Sequence, residues 1–233
     1  MMPSFASEIW FRSPLVVLSD RRPAPGTPRT GLESAIEWAV REHDGLWLVR
    51  HGAAGAPLEA EAGARARERW SVLGDAPGDA PPLRPAADGF SGYVRANAAY
   101  AERIIESVRA QGMVWINGHR WLLVPAALRE HGHRGPIGLL LDVPLPPRAR
   151  LEALPWSGEV LAALSQLDVL GLRTPACVDC FEACLARAGG RRPWLGVVPS
   201  GAEPAGRAEP PAWVTSFLHL LGAAAGPAAA RAV

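Results

Sequence analysis

The sequence predicts an α/β protein built on a single doubly wound, mainly parallel sheet. Short apolar runs alternate with segments of helical periodicity along most of the 233 residues. The runs are apolar at successive positions rather than at every second one, as strands buried on both faces require. Strand–helix alternation of this kind implies parallel neighbours joined by right-handed crossovers.

The elements follow in order. The run PLVVLS at 14–19 is the first strand. GLESAIEWAVREHD at 31–44 carries Leu32, Ala35, Ile36, Ala39 and Val40 as a helical stripe. GLWLVR at 45–50 is the second strand. Residues 53–88 are rich in Ala, Gly and Pro, have Trp70 as their one aromatic, and read as a long insertion or loop. A helix is expected at about 91–111, a strand at MVWIN (113–117) and a helix at 121–131. PIGLLLDVP at 136–144 is a strand whose end is set by Pro144. Helices at about 157–166, 175–188 and 212–224 alternate with strands at 167–172 and 193–199. A Pro/Gly-rich connector occupies 200–211, and 225–233 reads as a flexible tail.

The composition narrows the function classes. A hydrophobic fraction of 48% is enough for a proper core, and a net charge of +1 argues against nucleic acid as a partner. No apolar run reaches the ~18–20 residues a membrane span needs. The opening MMPSFASEIWFRSP has no basic segment leading into an apolar one, so a cytoplasmic location is expected. All 24 basic residues are arginine, which removes lysine-based chemistry and weakens any argument from one arginine alone. Cys177, Cys180 and Cys184 fall on one helix face. Three thiols with no fourth ligand nearby read first as an apolar stripe, with a cluster or metal as the alternative. No cofactor or metal is expected.

In a doubly wound sheet, ligands sit beyond the carboxyl ends of the strands. That rule directs attention to 19–21, 117–120 and 142–147, and at those places the sequence resembles the trehalose-6-phosphate synthases of glycosyltransferase family 20. LVVLSDRRP (15–23) is similar to the family's opening strand and Ser-Asn-Arg turn. TGLESAIEWAVREHDGLWLVRHG (30–52) resembles its glycine-pair turn, helix and Gly-Leu-Trp strand. GYVRAN (92–97), VWINGHRWLLVPAALREHG and IGLLLDVPLPPRARLEALPW (137–156) continue the likeness, followed by LDVLGLRT and VVPSGAEP. The resemblance spans roughly 14–204. It implies the Rossmann-like, acceptor-side half of a two-domain transferase that moves glucose from a nucleotide sugar to glucose 6-phosphate. The donor domain is expected to be missing. The helix at 212–224 resembles the family's last helix, expected to pack back on an α/β unit of residues 1–211.

The site residues implied are few. Arg21 matches the family's phosphate-contacting arginine; the plain alternative is a surface arginine. Gly31 matches the second glycine of the family's donor-facing turn and Thr30 replaces the first, but Thr30 with Glu33 is an equally good capping box. Trp70 matches a tryptophan near the acceptor sugar, or is a loop tryptophan covering the core. In 117–120, the family's His-Asp-Tyr-His is replaced by Asn117, Gly118, His119 and Arg120. Asn117 and His119 remain ligand candidates beside an ordinary turn reading, whereas Gly118 has lost the carboxylate. Asp142 stands at the place of a family histidine, where a carboxylate can hold hydroxyls but repels phosphate.

The resulting expectation is a trehalose-6-phosphate-synthase-like protein, inactive alone, that takes a nucleotide sugar only when a partner supplies the donor domain. The alternatives are a non-catalytic sugar-phosphate-binding or regulatory relative, and an interaction module. A homo- or hetero-oligomer is compatible with each.

Overall fold

A computed structural model of the chain describes residues 13–20, 30–50, 70–73, 87–141, 148–188, 191–198 and 212–225. Seven strands form one sheet: β1 (Ser13–Ser19), β2 (Leu46–Arg50), β3 (Trp70–Leu73), β4 (Val108–Asn117), β5 (Ile137–Leu140), β6 (Val169–Leu172) and β7 (Trp194–Val197). Their order is β3-β2-β1-β4-β5-β6-β7, and all pairs are parallel. The helices are α1 (Gly31–Glu42), α2 (Ala87–Ser107), α3 (Val124–Glu130), α4 (Arg148–Glu152), α5 (Ser157–Leu164), α6 (Pro175–Ala188) and α7 (Ala212–Ala225).

The central strands of the sheet are buried on both faces, and their side chains divide between them by alternation. Val16, Leu18, Val114, Ile116, Leu139 and Leu170 pack with α2, α3, α5 and α6. Leu15, Val17, Trp47, Trp115, Leu140 and Val169 meet residues of α1 and α7. This is why the strands read as continuous apolar runs: each successive side chain has a core to enter, at about 1.5–3 kcal/mol per large residue buried.

The second face is closed by α7. Phe217 packs 5.3 Å, centroid to centroid, from Trp115, and Trp213 approaches the same indole edge-on at 6.3 Å. Trp115 pairs in register with Gly138 on β5. A Cβ at Gly138 would lie 2.7 Å from the Phe217 ring, so the glycine makes room for it. The C-terminal helix therefore lies on the sheet.

The amino ends of β5, β6 and β7 are tied by one residue, Asp168. Its Oδ2 accepts from Arg129 Nη2 at 2.7 Å and from the Ile137 N–H at 2.8 Å, and its Oδ1 accepts from Arg191 Nη2 at 2.7 Å. Its backbone N–H donates to Ile137 O, and its carbonyl accepts from Trp194 N–H. Arg129 also donates to the His133 and Gly135 carbonyls. Burial pulls the Arg129 guanidinium below its ordinary pKa, and the charge and hydrogen bond of Asp168 oppose that pull.

His133 sits beside this network, buried, with neither ring nitrogen hydrogen-bonded among the described residues. Burial lowers its pKa to about 4; the charge of Arg129 adds to the effect and Asp168 opposes it. An unfolded histidine titrates near ~6.5. Between these values the unfolded chain binds the extra proton, so the stability is fully present above the unfolded value and falls as pH drops toward 4. About 2–3 kcal/mol is expected to be lost across that window. Melting curves at pH 7 and pH 4.5 check this: His133→Phe is expected to flatten the difference seen in the wild type, and an unchanged difference would refute it.

Where the structure differs from the sequence reading, the causes are local. No strand is expected within 53–88, yet Trp70–Leu73 pairs with β2 as an edge strand. β4 starts at Val108 rather than at 113, because Val108 pairs with Ser13 before a bulge restores the register at Leu15–Met113. The helix expected at 121–131 begins as a 3-10 turn at His119–Trp121 and becomes α-helical at Val124, with Pro125 in its first turn.

Candidate functional site

The winding reverses between β1 and β4, which lie side by side while their helices cover opposite faces. The carboxyl ends of these two strands place Ser19 and Asp20 next to Asn117 through Arg120. This is the switch point, the place where doubly wound sheets carry their ligand crevice.

The two strand ends are joined across 100 residues of sequence. Arg120 Nε donates to Asp20 Oδ2 at 3.1 Å, and both side chains are partly exposed, at 25% and 30%. Ser19 is buried and accepts from Trp47 Nε1 at 2.7 Å, which fixes β1 to β2 directly below the crevice. Asn117 is buried at the end of β4, and its Oδ1 has no hydrogen-bond partner among the described residues. Gly118 continues the ladder through its N–H to Leu140 O at 2.9 Å, then turns with φ +105° and ψ 162°. A side chain is strained in that conformation, so glycine is the residue the turn requires. His119, half-buried, opens the 3-10 turn that follows.

The turn itself is held from α2. Asn97, fully buried, donates from Nδ2 to the Tyr93 and Arg120 carbonyls at 3.0 and 3.1 Å and accepts the Leu123 N–H on Oδ1 at 3.1 Å. Tyr93 Oη accepts the Leu122 N–H at 2.9 Å. Backbone groups at the three positions 120, 122 and 123 are thus satisfied by two side chains of one helix, as buried polar groups must be. Phe90 of α2 stacks on Trp156, with centroids 4.9 Å apart, binding this helix to the segment that enters α5.

Of the residues picked out from sequence, the structure brings Asn117 and His119 together with Asp20 and Arg120. Arg21 and Asp142 lie outside the described residues. Thr30 makes the full capping box of α1: its Oγ1 accepts the Glu33 N–H at 3.2 Å, and its own N–H donates to Glu33 Oε2 at 2.8 Å. Gly31 is the first residue of that helix. Trp70 starts β3, in register with Trp47 and Val17 and so two residues short of the strand ends. β3 is three strands from β4, roughly 14 Å across at the usual interstrand spacing. Sequence reasoning missed Asp20, Arg120, Asn97 and Tyr93 as parts of the site.

The cysteine helix lies elsewhere. Thr174 caps α6 by accepting the Cys177 N–H at 3.2 Å, and Cys177 and Cys184 are buried. Burial raises the Cys184 thiol pKa, and Cys180 beside it raises it further. Among the described residues no group of three His, Cys, Asp or Glu could hold a metal ion, and no helix is long and apolar enough to cross a membrane.

A parallel, doubly wound sheet with polar residues gathered at its switch point defines a Rossmann-like α/β domain of the kind found in glycosyltransferases. The model of glycosyltransferase family 20 matches residues 84–198, and over that stretch the chain is similar to this family. A trehalose-6-phosphate synthase of Sinorhizobium fredii is 32% identical over 100 residues, 43% of this chain and 22% of that enzyme. The fold matches the Escherichia coli enzyme bound with UDP-2-fluoro glucose (TM-score 0.66, 24% identity, 84% of this chain and 52% of that one). It also matches a Burkholderia xenovorans α,α-trehalose-phosphate synthase in complex with glucose 6-phosphate (TM-score 0.61, 22% identity, 79% and 49%). The chain is trehalose-6-phosphate-synthase-like, and the match spans about half of each solved structure.

Proposed function

We propose that this chain is the acceptor-side unit of a trehalose-6-phosphate-synthase-type transferase and binds a sugar phosphate, glucose 6-phosphate in the first instance, at the β1/β4 crevice. The observation that carries the reading is the gathering of Asp20, Asn117, His119 and Arg120 at the switch point, three of them inside the family-matched stretch. In the full reaction, a glucosyl group passes from a nucleotide sugar to a hydroxyl of glucose 6-phosphate, releasing the nucleoside diphosphate and a proton. Arg21 and Asp142 belong to the proposed acceptor side, as do Thr30 and Gly31 to a donor-facing turn.

The 233-residue chain alone is expected to bind the acceptor without forming the disaccharide phosphate. Gly118 offers no side chain to the acceptor. A partner chain supplying the donor side is expected to restore turnover. The same glycine favours a second reading, a sugar-phosphate-binding regulatory protein with no turnover in any combination.

A thermal-shift titration of the purified chain with glucose 6-phosphate tests the binding. A saturable upward shift is expected, and a flat response to every hexose phosphate would sink the proposal. Incubation with UDP-glucose and glucose 6-phosphate tests the rest: the disaccharide phosphate appearing from this chain alone would overturn the expected inactivity.

A further inference from the structure

We propose that Asp20 and Arg120 together grip adjacent hydroxyl groups of the sugar, across the seam between β1 and β4. This rests on the sugar-phosphate reading above and assigns the part of the ligand that each side chain meets.

The pair stands at the one place where the sheet's winding reverses, at the carboxyl ends of the strands. With about a quarter to a third of each side chain exposed, the pair is reached from the crevice rather than sealed in the core. Among the described residues, the space beside it is open. A Cβ built on Gly118 would have Asp20 Oδ2, at 3.8 Å, as its only described neighbour within 4 Å. The backbone at φ +105° keeps a side chain from filling that space. The buried Asn117 amide lies at its base, with Oδ1 unmatched among the described residues.

The chemistry of the pair selects the ligand. A carboxylate only accepts hydrogen bonds and a guanidinium only donates them. A vicinal diol can donate to the first while accepting from the second, so it bridges the pair without breaking it. The pair has no net charge and so gives no net attraction to an anion. The phosphate of the ligand is therefore held elsewhere, and Asp20–Arg120 reads the neutral, hydroxyl-bearing part. A merely structural bridge between partly exposed groups would leave ligand choice untouched.

Calorimetric titration of wild type, Asp20→Asn and Arg120→Gln with glucose 6-phosphate and with inorganic phosphate separates these cases. Both variants are expected to lose glucose 6-phosphate affinity tenfold or more and to keep the wild-type affinity for inorganic phosphate. Binding of glucose 6-phosphate within twofold of wild type in both variants overturns the grip and leaves the sugar-phosphate reading standing. Equal losses for both ligands also overturn it, since they indicate a general distortion. No binding of sugar phosphate by the wild type removes both proposals. Monodeoxy analogues of glucose 6-phosphate on the wild-type chain provide a readout that depends on no variant folding. At least one is expected to bind tenfold more weakly, and uniform binding across the series counts as refutation.

Discussion

Asp168→Ala is expected to lower the melting temperature by roughly 10 °C or more. The carboxylate accepts from two arginines and one backbone N–H, and only 13% of it is exposed. Removing it leaves the Arg129 guanidinium, itself mostly enclosed, beside carbonyls but without a counter-charge. Breaking such a pair from one side costs about 3–5 kcal/mol, because the remaining charge stays desolvated. The Ile137 N–H at the start of β5 also loses its side-chain acceptor. In a domain of this size each kcal/mol moves the midpoint by about 2–4 °C. Thermal melts followed by circular dichroism check the value, and a change under 3 °C would show that water compensates Arg129. Asp168→Asn keeps an acceptor for Ile137 but not the charge, so it is expected to fall between the two.

Asn97→Ala is expected to cost about 2–4 kcal/mol and to weaken sugar-phosphate binding at the same time. It removes three hydrogen bonds at once and strands the Leu123 N–H and the Arg120 carbonyl in a buried setting. Each unmatched buried group costs about 1–3 kcal/mol. The loss falls on the turn that aims Arg120, so affinity is expected to drop although Asn97 touches the turn's backbone rather than the crevice. Melting curves and titrations on the same preparation decide this. A variant that loses stability but binds glucose 6-phosphate like the wild type would show that Arg120 is positioned by Asp20 alone. Tyr93→Phe, which strands only the Leu122 N–H, is expected to give a smaller change in the same direction.

The fold was legible wherever burial wrote itself into consecutive residues. LVVL, LWLV, MVWI and IGLL carry no polar side chain because α2, α3, α5 and α6 cover one face of the sheet and α1 and α7 the other. β3 escaped notice because an edge strand of four residues, WSVL, has too short a pattern to stand out among Ala, Gly and Pro. α4, five residues long, carries no period at all. The site was legible as a place and less so as a set of side chains. Strand-end logic led to 117–120, and the family likeness drew the eye to Arg21, one residue past Asp20. The ion pair of Asp20 with Arg120 joins residues 100 positions apart, which no local spacing reveals. Asn97 was visible in the expected helix and in the family-like GYVRAN segment but not as a clamp, since its partners lie 23 and 26 residues downstream, in a turn whose path depends on the folded sheet.

The seating of α7 over Gly138 has a consequence for how the chain is made. Trp115, Leu140 and Val169 leave the ribosome well before Ala212 does, yet Val214, Phe217, Leu218 and Leu221 of α7 cover their side of the sheet. Until α7 has been made, that part of the nascent sheet presents an indole and aliphatic side chains to solvent. Partly made chains of this kind are the species that aggregate or recruit chaperones. α7 therefore completes a face that α1 covers only in part: until it docks, Trp115, Leu140 and Val169 are open to any passing apolar surface.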